Sequence, residues 1–202
     1  VLPLRSWESV FRDWIVKAEP QELLDFCIFF DLRGVYGAVT LVDELVGSIK
    51  NMLKDQPIFF THMARNLLQQ RPAAVETGTP GELGQETWNI KSYMLPFNGF
   101  ARLYALQQNI QETNTLIRLE RLAEAGILHQ NSQRAYTASL TFLIKKRFAY
   151  QVSLQTTENN LAGQGLPHHL NEADIQQLRD TNDHVNLMLK RVSQDFLGGM
   201  QP

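Results

Sequence analysis

Cysteine is almost missing from this chain. Its 202 residues include one, Cys27, so no disulfide can form within it. A reducing, cytoplasmic setting is the expectation that follows. An excess of one charge is missing too: Asp and Glu number 21, Lys and Arg 19, and the formal net charge is −2. That excludes a general electrostatic grip on nucleic acid, and no nucleic-acid partner is expected. No apolar run approaches the roughly 20 residues that a membrane-spanning helix needs. The longest is Phe26-Cys27-Ile28-Phe29-Phe30, so no membrane contact is expected either. No signal peptide is visible. The first residue is Val1 rather than Met, from which we expect a segment excised from a longer chain.

The groups that carry most enzyme chemistry are missing as well. There is no G-x-x-x-x-G-K-[ST] loop, G-x-G-x-x-G turn, H-E-x-x-H helix or G-x-S-x-G elbow. A single Cys cannot build a CxxC zinc site. Two-metal nucleotidyl or phosphoryl transfer needs carboxylates that converge on Mg²⁺, often spaced D-x-D or D-x-E. No Asp of this chain has an Asp or Glu two positions later. Catalytic residues and a metal site are therefore not expected here. His168-His169 with Glu172 reads as a polar loop before a helix start, where an acid suits the dipole. Lys145-Lys146-Arg147 reads as a solvated helix face, with Arg147 the one to turn inward.

Strand signals are nearly absent, and the pattern that is present is helical. Trp7, Val10, Phe11, Trp14 and Ile15 mark one helix face, with Ser6 as its cap and Glu19-Pro20 as its stop. A second helix is predicted over about 21–31; its apolar residues leave little polar face, so it should be buried on most sides. Further helices are predicted over about 38–54, around Phe59, Met63 and Leu67, over 94–110, from a cap at Thr113 or Asn114 to Gly126, over 132–155 and over 171–196. Long surface loops are predicted over 71–84 and 156–169. Trp7, Trp14, Phe26, Phe29 and Phe30 read as core aromatics, and Trp88 as a residue that could cover a pocket. Long helices joined by turns imply an all-α fold: an antiparallel bundle with a four-helix-bundle-like core and extra helices, in a single domain over 1–202.

Four segments go beyond generic helix. They are Phe29-Phe30-Asp31-Leu32-Arg33-Gly34-Val35-Tyr36-Gly37; Ala64-Arg65-Asn66-Leu67-Leu68 with Arg71-Pro72; Ile90-Lys91 with Phe100-Ala101-Arg102-Leu103-Tyr104-Ala105-Leu106; and Thr113-Asn114-Thr115 with Arg118-Leu119 and Leu122-Ala123-Glu124-Ala125-Gly126-Ile127-Leu128. In this order they resemble the nucleotidyltransferase substrate-binding domain, the C-terminal helical domain of bacterial signalling proteins. The resemblance covers nearly the whole chain and extends to Arg147 and Gln151.

The resemblance implies a helical substrate-binding and regulatory domain. Upstream partners in the same chain would be a nucleotidyltransferase domain, CBS repeats and a cyclic-nucleotide-binding-like module. The parent would be similar to the uridylyltransferase of the PII signalling protein, with an acceptor protein as a further partner. Mg²⁺ and a nucleoside triphosphate would belong to the upstream catalytic domain, and no cofactor to this segment. The substrate-binding residues so implied are Asp31, Arg33, Arg65, Asn66, Lys91, Arg102, Asn114 and Arg118. A guanidinium suits bidentate binding of phosphate or carboxylate. Each of these residues also has a structural alternative: Asp31 and an arginine can tie helices together, and Asn114 can be a helix cap. The competing function is a helical protein-interaction or dimerisation module, a homodimer among its forms, with no nucleotide or substrate bound.

Overall fold

A computed structural model of the chain describes residues 2–17, 27–72, 89–156 and 171–199. These residues form α1 (Leu4–Lys17), a 3-10 turn (Cys27–Phe30), α2 (Thr40–Leu53), α3 (Pro57–Gln69), α4 (Ile90–Gln107), α5 (Thr115–Glu124), α6 (Gln130–Thr156) and α7 (Glu172–Leu197). No strand occurs among them, and the fold is all-α.

Helix direction follows from which residues meet. Met94 of α4 lies beside Arg147 of α6, whereas Phe97 and Phe100 pack on Tyr136. Numbers thus rise along α4 as they fall along α6. Lys146 pairs with Asp174 and Ser139 with His184, which sets α6 and α7 in the same opposition. α4 is therefore antiparallel to α6 and parallel to α7. α3 packs on α4 and α7 and completes the four-helix core, while the short α5 lies against α4 and α6.

The helix ends explain themselves locally. First-turn N–H groups have no partner within a helix, and side-chain oxygens supply one. Asn89 accepts from Ser92 at the start of α4, and Asn114 accepts from Leu116 and Ile117 at the start of α5. Asn171 and Asp174 form a reciprocal capping box on α7, whose end is Gly198 in the left-handed conformation. Where α3 meets α4 the helices nearly touch: a Cβ at Gly99 would stand 2.6 Å from Leu67 Cδ1. Phe59, Phe97, Phe100, Leu119, Leu140 and Leu178 are fully buried between the helices. Each contributes roughly 1.5–3 kcal/mol of transfer free energy.

α1 and α2 pack on each other and form a layer beside the bundle. An aromatic relay joins the two parts. Phe30 meets Phe11 of α1 edge-on at 5.3 Å between ring centroids, and Phe59 of α3 at the same distance. Such pairs are worth roughly 0.5–1.5 kcal/mol beyond the area they bury.

The structure corrects three expectations. α1 begins at Leu4, because the Pro3 carbonyl accepts the N–H groups of Ser6 and Trp7; Ser6 lies inside the helix rather than capping it. The helix predicted over 21–31 is, in its described part, a single 3-10 turn, with Ile28 60% and Phe29 40% exposed. Three residues per turn place Cys27 and Phe30 on one side and send the two between them outward. Phe29 still rests on Trp14, at 5.3 Å between centroids. Arg147 is exposed, not turned inward. Phe26, Trp88, His168, His169 and the two predicted long loops, apart from their first residues, lie outside the described residues.

Candidate functional site

The candidate site is built on one carboxylate that two arginines share. Asp31 directly follows the 3-10 turn, and its N–H donates to the Ile28 carbonyl. Arg102 on α4 donates from Nε and Nη2 to Asp31 Oδ2 at 3.1 and 2.6 Å. Arg118 on α5 donates from Nη2 to Oδ1 at 2.6 Å and from Nε to the Glu112 carbonyl. The remaining Arg102 nitrogen, Nη1, lies 3.5 Å from Cys27 Sγ. The three side chains come from segments 71 and 87 residues apart in the chain.

The charges do not cancel, since two guanidinium groups face one carboxylate. Arg118 is 2% exposed. Burial, reinforced by the like charge of Arg102, pulls its pKa down, and Asp31 offsets only part of this. Burial also acts to lower Arg102, but the hydrogen bonds and charge of Asp31 outweigh it and leave that pKa raised. Both groups stay protonated, as arginine does in proteins. The cluster therefore holds a net positive charge at low exposure.

A groove opens beside this cluster. Its inner end is a small cavity of about 40 Å³, lined by Phe30, Ile49, Lys50, Asn109, Gln111 and Arg118 among others. That volume takes a water or two. Its outer part is an open cleft of about 760 Å³ between the α2–α3 turn, the end of α4 and the end of α7. Lys54, Asp55, Thr61, Gln107 and Asp195 supply its polar groups. The two spaces share Leu53, Leu106 and Asn109. Asn109 ends α4 at φ 57°, a left-handed position that asparagine tolerates better than most residues. One wall is stiffened by Tyr104, whose hydroxyl donates to Asp195 at 2.6 Å beneath the Arg191 guanidinium. Burial first, then the Asp195 carboxylate, pushes the Tyr104 pKa strongly up.

The sequence-derived residues separate into three groups. Asp31, Arg102 and Arg118 meet. Asn114 stands at the head of the helix that carries Arg118, its side chain spent on the cap and its carbonyl accepting the Arg118 N–H. Asn66 is buried in α3. Arg33, Arg65 and Lys91 are exposed, and among the described residues none forms an ion pair. Lys50, Lys54, Asn109 and Asp195 were not singled out from the sequence. The i, i+4 spacing of Lys50 and Lys54 at the end of α2 was the one available signal for the groove. No group of three His, Cys, Asp or Glu among the described residues could hold a metal ion. None of the described helices is long and apolar enough to cross a membrane.

No curated protein and no solved structure matches the chain. Residues 57–196 match the family described as "Putative nucleotidyltransferase substrate binding domain". The matched stretch holds Arg65, Asn66, Lys91, Arg102, Asn114 and Arg118, and leaves Asp31 and Arg33 on its N-terminal side. Because the match spans well over half of the 202 residues, the chain belongs to the family of nucleotidyltransferase substrate-binding domains.

Proposed function

We propose that this domain holds substrate for a nucleotidyltransferase catalytic domain and performs no transfer itself. The family match over residues 57–196 is the observation that carries the reading. The catalytic domain, with Mg²⁺ and a nucleoside triphosphate, lies upstream in the same chain, next to CBS repeats that add a regulatory input. The parent protein is a cytoplasmic signalling enzyme similar to PII uridylyltransferase, and its acceptor is a protein. The groove from Arg118 to Asp195 supports this, because it joins a cationic inner end to an open mouth with mixed polar groups.

Within that reading the eight residues divide their work. Arg118 lines the inner end of the groove and is tied to Asp31 and through it to Arg102, and the excess positive charge of this cluster favours a phosphate or carboxylate nearby. Lys50, half-buried on the wall of the same cavity, adds to it. Arg65 and Lys91 present exposed cations to an acidic acceptor, and Arg33 stands apart from them on the loop before α2. Asn66 and Asn114 keep the helices beneath in place.

Radiolabelled nucleoside triphosphates, Mg²⁺ and candidate acceptor proteins test the assignment. The 202-residue chain alone is expected to incorporate no label, whereas the chain joined to its catalytic domain should incorporate label that a chelator abolishes. Lys50→Ala in the joined protein should raise the acceptor KM roughly tenfold, the loss of one charge-assisted contact, with the melting temperature unchanged. Chelator-sensitive labelling by the chain alone, or an unaltered KM in the variant, would overturn the reading.

A further inference from the structure

The two most exposed large apolar side chains of the described residues are neighbours in the chain. Val35 is 84% and Tyr36 99% exposed, and Val39 and Leu41 are about half exposed. Val35, Tyr36 and Val39 lie in the stretch between Asp31 and the start of α2 at Thr40, and Leu41 follows in the first turn of that helix. Between residues 32 and 39 the only polar side-chain groups are the Arg33 guanidinium and the Tyr36 hydroxyl.

This loop has a defined shape. Its base is Asp31, which Arg102 and Arg118 hold from two sides. Gly37 stands at φ +87°, where a side chain would be strained, and the Val39 N–H donates to the Gly37 carbonyl. Gly34 packs so closely on Val39 that a Cβ would come 2.5 Å from its Cγ1. Two glycines and a buried ion cluster thus fix a convex knuckle with Val35 and Tyr36 at its tip. Contiguous exposed apolar surface on a folded scaffold marks an interaction site, and tyrosine is a frequent anchor residue in such interfaces.

The surroundings of the knuckle choose its occupant. Small ligands bind in concave sites, and this one is convex. A second copy docked loop to loop by two-fold symmetry would set Arg33 against Arg33. An anionic bilayer would meet Asp43 and Glu44, both exposed at the start of α2. What fits is a protein surface with an apolar recess and a carboxylate at its rim, since Arg33 has no ion-pair partner among the described residues.

We propose that this knuckle docks the domain onto the nucleotidyltransferase catalytic domain, with Val35 and Tyr36 seated in an apolar recess and Arg33 on a carboxylate beside it. The inference rests on the substrate-binding reading above. A domain that transfers nucleotides through Mg²⁺ must itself carry carboxylates around its cleft, which gives the charge complementary to Arg33. Asp31, Arg102 and Arg118 then act as positioning residues: they aim the knuckle without touching the partner.

Photo-cross-linking in the full-length protein tests it, with Tyr36→p-benzoylphenylalanine as the probe and mass spectrometry as the readout. The expected product is a cross-link to the nucleotidyltransferase domain of the same chain. Its yield should fall several-fold with Arg33→Glu and be retained with Arg33→Lys. Tyr36→Ser in the 202-residue chain should leave the melting temperature unchanged, since the ring touches almost nothing there. A cross-link between two copies, to an acceptor protein, or to nothing would overturn the docking site while leaving the substrate-binding reading intact. A full-length chain with no nucleotidyltransferase domain would overturn both.

Discussion

The bundle of α3 to α7 and the layer of α1 and α2 are made of similar residues put to different use. In the bundle, Phe97, Leu119, Leu143 and Met188 have no exposed surface, although Ile58, Phe148 and Leu187 on its outer faces are more than half exposed. In the layer and the loop between its helices, Val16, Ile28, Val35 and Tyr36 stand mostly in solvent. Two joins hold the layer in place: the Phe11–Phe30–Phe59 relay and the Asp31–Arg102–Arg118 cluster. We read the bundle as the scaffold, and the layer with its Val35–Tyr36 tip as a surface that the scaffold holds in one orientation.

Breaking the aromatic join should have the largest effect. Phe30→Ala removes the ring that links α1 to α3 and opens a cavity, at a cost of roughly 3–5 kcal/mol. Because the loss falls at the seam, thermal unfolding followed by circular dichroism should split into two steps, the earlier one carrying the helicity of α1 and α2. A single transition at the original temperature would show that the layer does not depend on this seam.

A smaller effect sharpens the bundle side of the comparison. Tyr104 is buried between α4 and α7 with its pKa raised above 10.0. Stability from its protonated form is fully present below about pH 10, where the unfolded chain begins to ionise, and is lost as pH rises further. Above that pH the native chain should lose stability more steeply than Tyr104→Phe, by about 1.4 kcal/mol per pH unit. Denaturant titrations at stepped pH measure the two slopes, and equal slopes would refute the buried role of this hydroxyl.

Much of the bundle was legible in the sequence, because its helices carry long apolar stripes and conventional ends. Asn114 and Asn171 signal a helix start through their own side chains, and Gly198 signals an end. The segment before Asp31 was misread for a physical reason. A continuous apolar run such as Cys27–Phe30 has no period, so it cannot report whether three or 3.6 residues make a turn. The ordered motifs did contain Asp31, Arg102 and Arg118, but spacing could not say that they meet, since their contact is made by tertiary packing alone. Asn109 and Asp195 became visible only once the ends of α4 and α7 were placed side by side.

Native-state hydrogen exchange on the chain and on Asp31→Ala tests the central claim most directly. Removing the shared carboxylate leaves the buried Arg118 and the half-buried Arg102 without their shared counter-charge, a loss of about 3 kcal/mol. If that cluster clamps a presented layer to an independent scaffold, amides in residues 27–39 should exchange roughly a hundredfold faster in the variant. Those around Val185 and Val192 in the middle of α7 should keep their original rates. An equal acceleration in both regions, or none in either, would contradict the account.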